Sequence, residues 1–208
     1  MSRRIGVDFD NTIICYDDVM HQAAVQQGLV PSSCRMSKHA IRDMVRQLPH
    51  GEQAWQHLQG VVYGVRIHEA RLIEGVQEFF QLCKRRHVPV HIVSHKTTFG
   101  PEDEGITNLR AAALGWMEAQ GFFEESGLGI STDDVYFEST RHDKIERIKA
   151  LRCSHFIDDL EETFLEASFP RDVDKILYAP PPRFPSPPGV TIASCWDDIR
   201  NYLFSARR

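Results

Sequence analysis

The sequence predicts an α/β fold, a doubly wound parallel sheet carrying a small α-helical insertion. Three observations carry that prediction. From about residue 73 onward, apolar runs dense in β-formers alternate with segments of helical period. A block of roughly sixty residues after the first apolar run has helical spacing only, where an ordinary βα connection takes about two to six. The apolar runs also end on acids or hydroxyls, and open parallel sheets bind their ligands beyond the carboxyl ends of the strands.

Taken in order, Arg4 to Phe9 is a short apolar run that stops at the turn-like pair Asp10-Asn11, so it reads as a buried first strand. Helical spacing follows from Asp17, with Val19, Ala23 and Ala24 closed by Gly28, then from Met36 to Leu48 before Pro49, then from Glu52 to Tyr63 before Gly64. These three helices form the insertion. Gly75 to Arg86 places Val76, Phe79, Phe80 and Cys83 on one helical face, and Val88 to Val93 is a strand ending at Ser94. A helix from about Glu104 to Gln120 comes next, then a strand at Asp134 to Phe137 and a helix at Asp143 to Leu151. A strand at His155 to Ile157 ends on Asp158-Asp159, and a helix at Glu161 to Ser168, a strand at Asp174 to Tyr178 and a helix at Trp196 to Phe204 complete the pattern. The proline-rich stretch Pro180 to Pro188 reads as a rigid connecting loop, with a polyproline II ligand as the alternative.

The 208 residues suffice for one substantial core. With 42% hydrophobic and 25% charged residues the chain lies away from the composition of disordered proteins. A formal net charge of -5 argues against duplex nucleic acid as a partner, because phosphate-backbone affinity rests on clustered Lys and Arg. The five cysteines include no C-x-x-C pair and their odd number leaves one unpaired, which suits a reducing compartment. No apolar run reaches the length of a membrane span or a signal peptide, so a cytoplasmic protein is expected.

The strand ends hold chemistry. Asp8 and Asp10 stand at i and i+2 on one strand end and point the same way. Cleaving a phosphate ester needs a nucleophile and a proton donor for the leaving group, and these two acids can divide that labour. A carboxylate approaching a phosphate dianion is repelled, so a cation is required; hard oxygens from Asp8, Asp158, Asp159 and a backbone carbonyl suit Mg²⁺. Lys144 is placed to neutralise the nucleophile, Ser94 to hold phosphate oxygens and Thr12 to brace the Asp8 loop. The loop His95 to Gly100 offers hydrogen bonds to a leaving group. His87, His91 and His95 repeat every four residues, but across a strand that spacing does not gather them, so no zinc site is expected.

Asp8-Phe9-Asp10-Asn11-Thr12 after a first strand, Ser94 after a second, Lys144 opening a helix and Asp158-Asp159 after an apolar stretch together resemble the four ordered motifs of haloacid dehalogenase (HAD) superfamily hydrolases. The resemblance covers Arg4 to about Ser168. It implies a Rossmann-like core at 1–14 and 73–208 and a helical cap at 15–72 that closes over the substrate. It implies Asp8, Asp10 and Lys144 as catalytic residues, Ser94, His95 and Thr12 as substrate-binding residues, and Asp8, Asp10, Asp158 and Asp159 as the Mg²⁺ site. The second acid of the first motif separates phosphatases and phosphotransferases from dehalogenases, and Asp10 is that acid. A cap favours a small phosphorylated metabolite, such as a nucleotide or sugar phosphate, as substrate. Phosphoryl transfer, as in a mutase, and a non-enzymatic interaction module retaining the fold are the alternatives. Lys38, Arg42, Arg46, Arg66 and Arg71 are candidates for a second anionic group, and the oligomeric state is open.

Overall fold

A computed structural model describes residues 3–33, 37–100, 107–180 and 188–205 of the chain. Eight strands and eight α-helices are formed among them. Six strands make one parallel sheet: β1 (Ile5–Val7), β4 (Val90–His95), β5 (Val135–Glu138), β6 (His155–Asp158), β7 (Asp174–Tyr178) and β8 (Val190–Ala193). Two short strands, β2 (Ile14–Cys15) and β3 (Arg71–Leu72), pair in a ribbon of their own.

The spatial order of the large sheet is β5-β4-β1-β6-β7-β8. The chain therefore works outward from β1 to one edge, returns, and works outward from β6 to the other. This is the doubly wound order, and its switch point lies between β1 and β6, where Ile5, Gly6 and Val7 stand in register with His155, Phe156 and Ile157. Strand ends diverge at a switch point, which leaves a crevice beyond their carboxyl ends. Asp8 and Asp158 stand there.

The chain divides into two compact units. The first comprises Met1–Ile13, Leu72–His95 and Gly121–Arg208 and holds the large sheet. Its central strands are buried on both faces: Phe156 and Ile157 are adjacent in β6, point to opposite sides and are both fully buried. One face carries α6 (Arg141–Ala150) and α7 (Glu161–Leu165), whose Ile145, Ile148 and Phe164 cluster with Val93, Phe156 and Leu177. Helices α4 (Val76–Arg85) and α8 (Trp196–Phe204) pack together, with the rings of Phe79 and Trp196 4.9 Å apart. Gly75 precedes α4 at φ +86, and a Cβ there would lie 2.7 Å from that of Trp196, so this helix entry needs glycine on two counts.

The second unit comprises Ile14–Arg71 and Lys96–Gln120. It holds α1 (Asp17–Gln26), α2 (Lys38–Val45), α3 (Gly51–Gly60) and α5 (Leu109–Ala119). Residues 96–120, which the sequence reading put outside the helical insertion at 15–72, cluster here with Ile14–Arg71. The reason is packing. Trp116 of α5 donates its indole N–H to the Ala70 carbonyl, and a Cβ on Gly64 would lie 2.4 Å from Thr107, so the chain leading into α5 sits directly on the Gly64 backbone. Asn108 caps α5, accepting from the N–H groups of Arg110 and Ala111, and sets its first residue five positions later than the expected start near Glu104, which lies outside the described residues.

Other elements differ from expectation as well; the helix expected at Glu161 to Ser168, for one, ends at Leu165. Strand β8 follows the proline-rich stretch, most of which, 181–187, lies outside the described residues. The expected helix Glu52 to Tyr63 continues as a π-helix over Val61–Val65, closed by the bond from the Arg66 N–H to the Val61 carbonyl at 2.9 Å. The helix holding Lys144 starts at Arg141 rather than Asp143, because Thr140 caps it by accepting from the Asp143 N–H while donating to the Asp143 carboxylate. Trp55, Trp116 and Trp196 are buried, as expected of packing residues.

Candidate active site

The first motif begins where β1 ends. The Asp8 N–H donates to the Ile157 carbonyl at 2.8 Å, holding the chain in register with β6 for one residue beyond the strand. Alternation then turns Phe9 the other way, into full burial against the edge of the Phe137 ring at 6.3 Å. Asn11 takes φ +57, a left-handed conformation that asparagine tolerates, and the N–H of Ile13 returns to the Phe9 carbonyl at 3.0 Å. A tight turn results. The Trp196 indole donates to the Thr12 carbonyl at 3.0 Å and anchors the turn to α8.

Lys144 reaches Asp8 and Asp158 from α6. Its ammonium donates to Asp8 Oδ1 at 2.6 Å and to Asp158 Oδ2 at 2.7 Å. All three side chains are nearly or wholly buried, and the Leu160 N–H occupies the other Asp158 oxygen at 2.9 Å. The Asn11 amide donates to Asp159 Oδ2 at 3.4 Å. The two acids of the last motif are thus held by different groups, Asp158 by Lys144 and a main-chain amide, Asp159 by Asn11.

Asp8, Asp158 and Asp159 place one carboxylate oxygen each within 4.8 Å of one another, and the Lys144 ammonium bonds to the first two of these acids. Burial pushes the Asp8 carboxyl up to about 7; Lys144 opposes that shift, while the charges of Asp158 and Asp10 add to it. Burial works against the charge of Lys144 too, but the Asp158 and Asp8 carboxylates outweigh it and hold the lysine above its usual value. Three hard oxygen donors around one spot fit a small divalent cation such as Mg²⁺.

Two buried hydroxyls, Ser94 Oγ and Thr12 Oγ1, have no hydrogen-bond partner among the described residues. An orphaned buried hydroxyl at a strand end is a poor structural element and a ready partner for a ligand oxygen. Ser94 stands at the end of β4, the neighbour of β1, as its position in the sequence leads one to expect. Asp10 is partly exposed, and its charge is felt at Asp8; its carboxylate lies outside the group of three close acids. His95 is exposed with Nε2 3.0 Å from the Ser139 carbonyl. Among the described residues only Asp8, Asp158 and Asp159 come together in a group that could hold a metal ion.

Sequence reasoning missed Asn11 and Leu160 as supports of the acidic pair. Asn11 had a signal, the turn-forming pair Asp10-Asn11. The Leu160 amide had none, since any residue but proline supplies it.

Of the five basic residues considered for a second anion, Arg42 bridges Asp43 at 2.9 Å, Arg46 bridges Glu52 at 2.7 Å and Arg66 bridges Glu69 at 2.6 Å. Arg71 lies 3.5 Å from Asp18. Lys38 Nζ sits 5.4 Å from the Tyr63 ring centroid. Phe99, in the loop His95 to Gly100, is exposed. No helix among the described residues is long and apolar enough to cross a membrane.

No family model matches the chain, and no curated protein matches it. Solved structures do. A haloacid dehalogenase-like family hydrolase from Streptococcus pneumoniae is 16% identical with a TM-score of 0.63, covering 98% of this chain and 99% of its own. A HAD family hydrolase from Deinococcus radiodurans, solved with bound phosphate and sodium, is 12% identical with a TM-score of 0.60, covering 97% and 95%. An L-2-haloacid dehalogenase is 13% identical with a TM-score of 0.53, covering 97% and 98%. The chain therefore has the fold of the haloacid dehalogenase-like hydrolases.

Proposed function

We propose that this protein is a magnesium-dependent phosphatase of the haloacid dehalogenase superfamily that hydrolyses a small phosphate monoester through an aspartyl-phosphate on Asp8. The observation that carries the reading is the buried arrangement in which Lys144 bridges Asp8 and Asp158 beside Asp159. Burying three such groups is expensive, and a fold needs no ionic triad at its switch point.

In the proposed reaction an Asp8 oxygen attacks phosphorus, the bond from phosphorus to the ester oxygen breaks, and Asp10 delivers a proton to the departing alkoxide. Water then attacks the phosphorus of the acyl phosphate, Asp10 takes its proton, and phosphate leaves with the Asp8 carboxylate restored. Lys144 holds Asp8 in place and offsets charge on the phosphoryl oxygens, which Ser94 and Thr12 receive as hydrogen-bond donors. Mg²⁺, held by Asp8, Asp158 or Asp159 and the Asp10 carbonyl, would supply positive charge to screen the approach of the phosphate. His95 stands at the rim as a further contact for the substrate.

Asp10 also separates this reading from that of the dehalogenase relative, since a carbon–halogen bond breaks without a proton donor on the leaving atom. The test is phosphate release from nucleotides, sugar phosphates and phenyl phosphate, with Mg²⁺ or with EDTA, alongside halide release from 2-chloropropionate. Turnover of a phosphate ester that stops with EDTA and with Asp8→Asn supports the proposal; halide release without phosphate release overturns it.

A further inference from the structure

His95 is the last residue of β4, one position beyond Ser94, and its two ring nitrogens are not equivalent. Nε2 lies 3.0 Å from the Ser139 carbonyl. A carbonyl oxygen only accepts, so Nε2 carries the hydrogen of that bond. Whether Nδ1 carries one as well depends on the charge of the ring. The side chain is exposed, but the protein around it still desolvates the ring in part, and that burial holds its pKa below the ordinary 6.5. The charges of Lys144 and Arg141 act the same way, against the Ser139 bond and the charge of Asp10. The imidazole is therefore predominantly neutral at neutral pH, and Nδ1 is a bare acceptor. Among the described residues nothing donates to it.

The surroundings of that acceptor belong to the first unit throughout. His95 stands in register with Glu138 of β5, whose carboxylate is already engaged by the Arg147 guanidinium at 2.7 Å. The Ser139 carbonyl comes one residue before Thr140, the cap of α6, and α6 carries Lys144 to Asp8. The ring is thus pinned through one nitrogen to the helix entrance that also delivers the lysine. Fold maintenance needs no histidine here, because an exposed bond to a main-chain carbonyl is worth about 1 kcal/mol and other donor side chains supply it. Asp10, the proton donor of the proposed reaction, is close enough for its charge to act on the ring. Nδ1 therefore borders the region where the leaving group departs.

We propose that His95 selects the leaving group, its Nδ1 accepting a hydrogen bond from a hydroxyl on the alcohol part of the phosphate ester. The inference rests on the phosphatase reading and narrows it to esters of polyols, sugars or nucleosides. A carboxylate or a fully ionised phosphate offers that nitrogen no hydrogen. An ammonium meets the like charges of Lys144 and Arg141, which leaves a neutral hydroxyl as the group the site accommodates.

Two substitutions divide the functions of the ring. Glutamine places its amide nitrogen where Nε2 lies and keeps the Ser139 bond without an acceptor at Nδ1; asparagine places its amide oxygen where Nδ1 lies and keeps the acceptor without that bond. In the full-length protein, kcat/KM is compared for glycerol 1-phosphate and for propyl phosphate, which lacks the hydroxyls. The native chain is expected to prefer the glycerol ester about tenfold, His95→Asn to keep most of that preference and His95→Gln to lose it. A native ratio near one, a preference kept in His95→Gln, or one lost in His95→Asn overturns the proposal, the last because it would trace the effect to the Ser139 bond. A second measurement needs no turnover: nitrogen NMR of the histidine-labelled Asp8→Asn protein at neutral pH, with the His95 signals identified by their absence when His95→Gln is added. A bare Nδ1 beside a protonated Nε2 is expected, and the Nδ1 signal should shift with glycerol 1-phosphate and not with propyl phosphate. A protonated Nδ1, equal shifts with both esters, or no shift with either overturns the proposal. A selective shift in a protein whose native chain releases phosphate from neither ester keeps His95 as a hydroxyl-binding residue and counts against the phosphatase reading instead.

Discussion

Strand β6 carries a polar side-chain pair at each end, and the two ends are built to opposite rules. At its carboxyl end Asp158 meets Lys144 at 2.7 Å with the two side chains 0% and 2% exposed. Where the strand begins, His155 Nε2 meets Asp174 at 3.3 Å, and the Asp174 side chain is half exposed. Ser154, next to His155, also ties Arg4 by accepting from its N–H at 2.9 Å and donating to its carbonyl at 3.1 Å. The second group is a wet latch that joins strand entrances, and such pairs are worth little. The first is a dry ionic triad, expensive to bury, at the one place where the doubly wound topology opens the sheet. Chemistry accounts for that difference better than stability does.

The largest expected effect follows from breaking the dry triad. Lys144→Met leaves Asp8 and Asp158 buried without their cation, and should lower unfolding free energy by about 3–5 kcal/mol in urea titrations at neutral pH, with loss of turnover. Adding Asp158→Asn to it should recover part of the stability and none of the activity. If Lys144→Met unfolds like the native chain, the triad is not dry.

Next in size is Asp10→Asn. Removing a general acid should reduce kcat by about 10²–10⁴ for an alkyl phosphate. The loss should be smaller for phenyl phosphate, whose leaving group departs with less help. Equal losses for both esters would remove Asp10 from the proton-transfer role.

The pH dependence sharpens the contrast further. The folded pKa of Asp8, about 7, exceeds its ordinary value of 3.8, so between those values the folded chain holds a proton that the unfolded chain has released. Stability from this group is therefore greatest at low pH and is lost as pH rises through about 7. A cation bound by the three acids requires Asp8 ionised, which reverses the trend. Mg²⁺ should accordingly raise Tm more at pH 8 than at pH 5.5, and Asp159→Asn should diminish the rise. A Mg²⁺ effect independent of pH would place the cation elsewhere.

The smallest effect belongs to the wet end. Asp174→Asn should change stability by about 1 kcal/mol or less and leave kcat unaltered. A large loss of activity there would erase the distinction between the two ends.

Much of this arrangement was legible in the sequence, because the rim residues sit at strand ends and strand ends are marked by a change from apolar to polar. Asp174–Tyr178 and Trp196–Phe204 match their expected bounds, and Asp8, Ser94, Lys144 and Asp158 all reach one rim. What was not legible depends on contacts remote in sequence. The ribbon of Ile14–Cys15 with Arg71–Leu72 has two residues a strand, too few for any period to register. Strand Val190–Ala193 follows a proline-rich stretch that masks a four-residue run. Residues 96–120 look like an ordinary crossover helix, and only the Trp116 bond to Ala70 and the seat at Gly64 reveal the other unit as their home. The π-helix at Tyr63 is invisible for the same reason, since its Val-Val-Tyr-Gly-Val sequence reads as plain helix up to the glycine.

The most direct measurement is mass spectrometry of the protein quenched in acid during turnover of its best phosphate ester, with Asp8→Asn as control. The account predicts one phosphoryl group on the peptide holding Asp8, present with Mg²⁺, removed by hydroxylamine and absent in Asp8→Asn. Steady phosphate release with that peptide unmodified at every quench time, or a phosphoryl group on another residue, would contradict it.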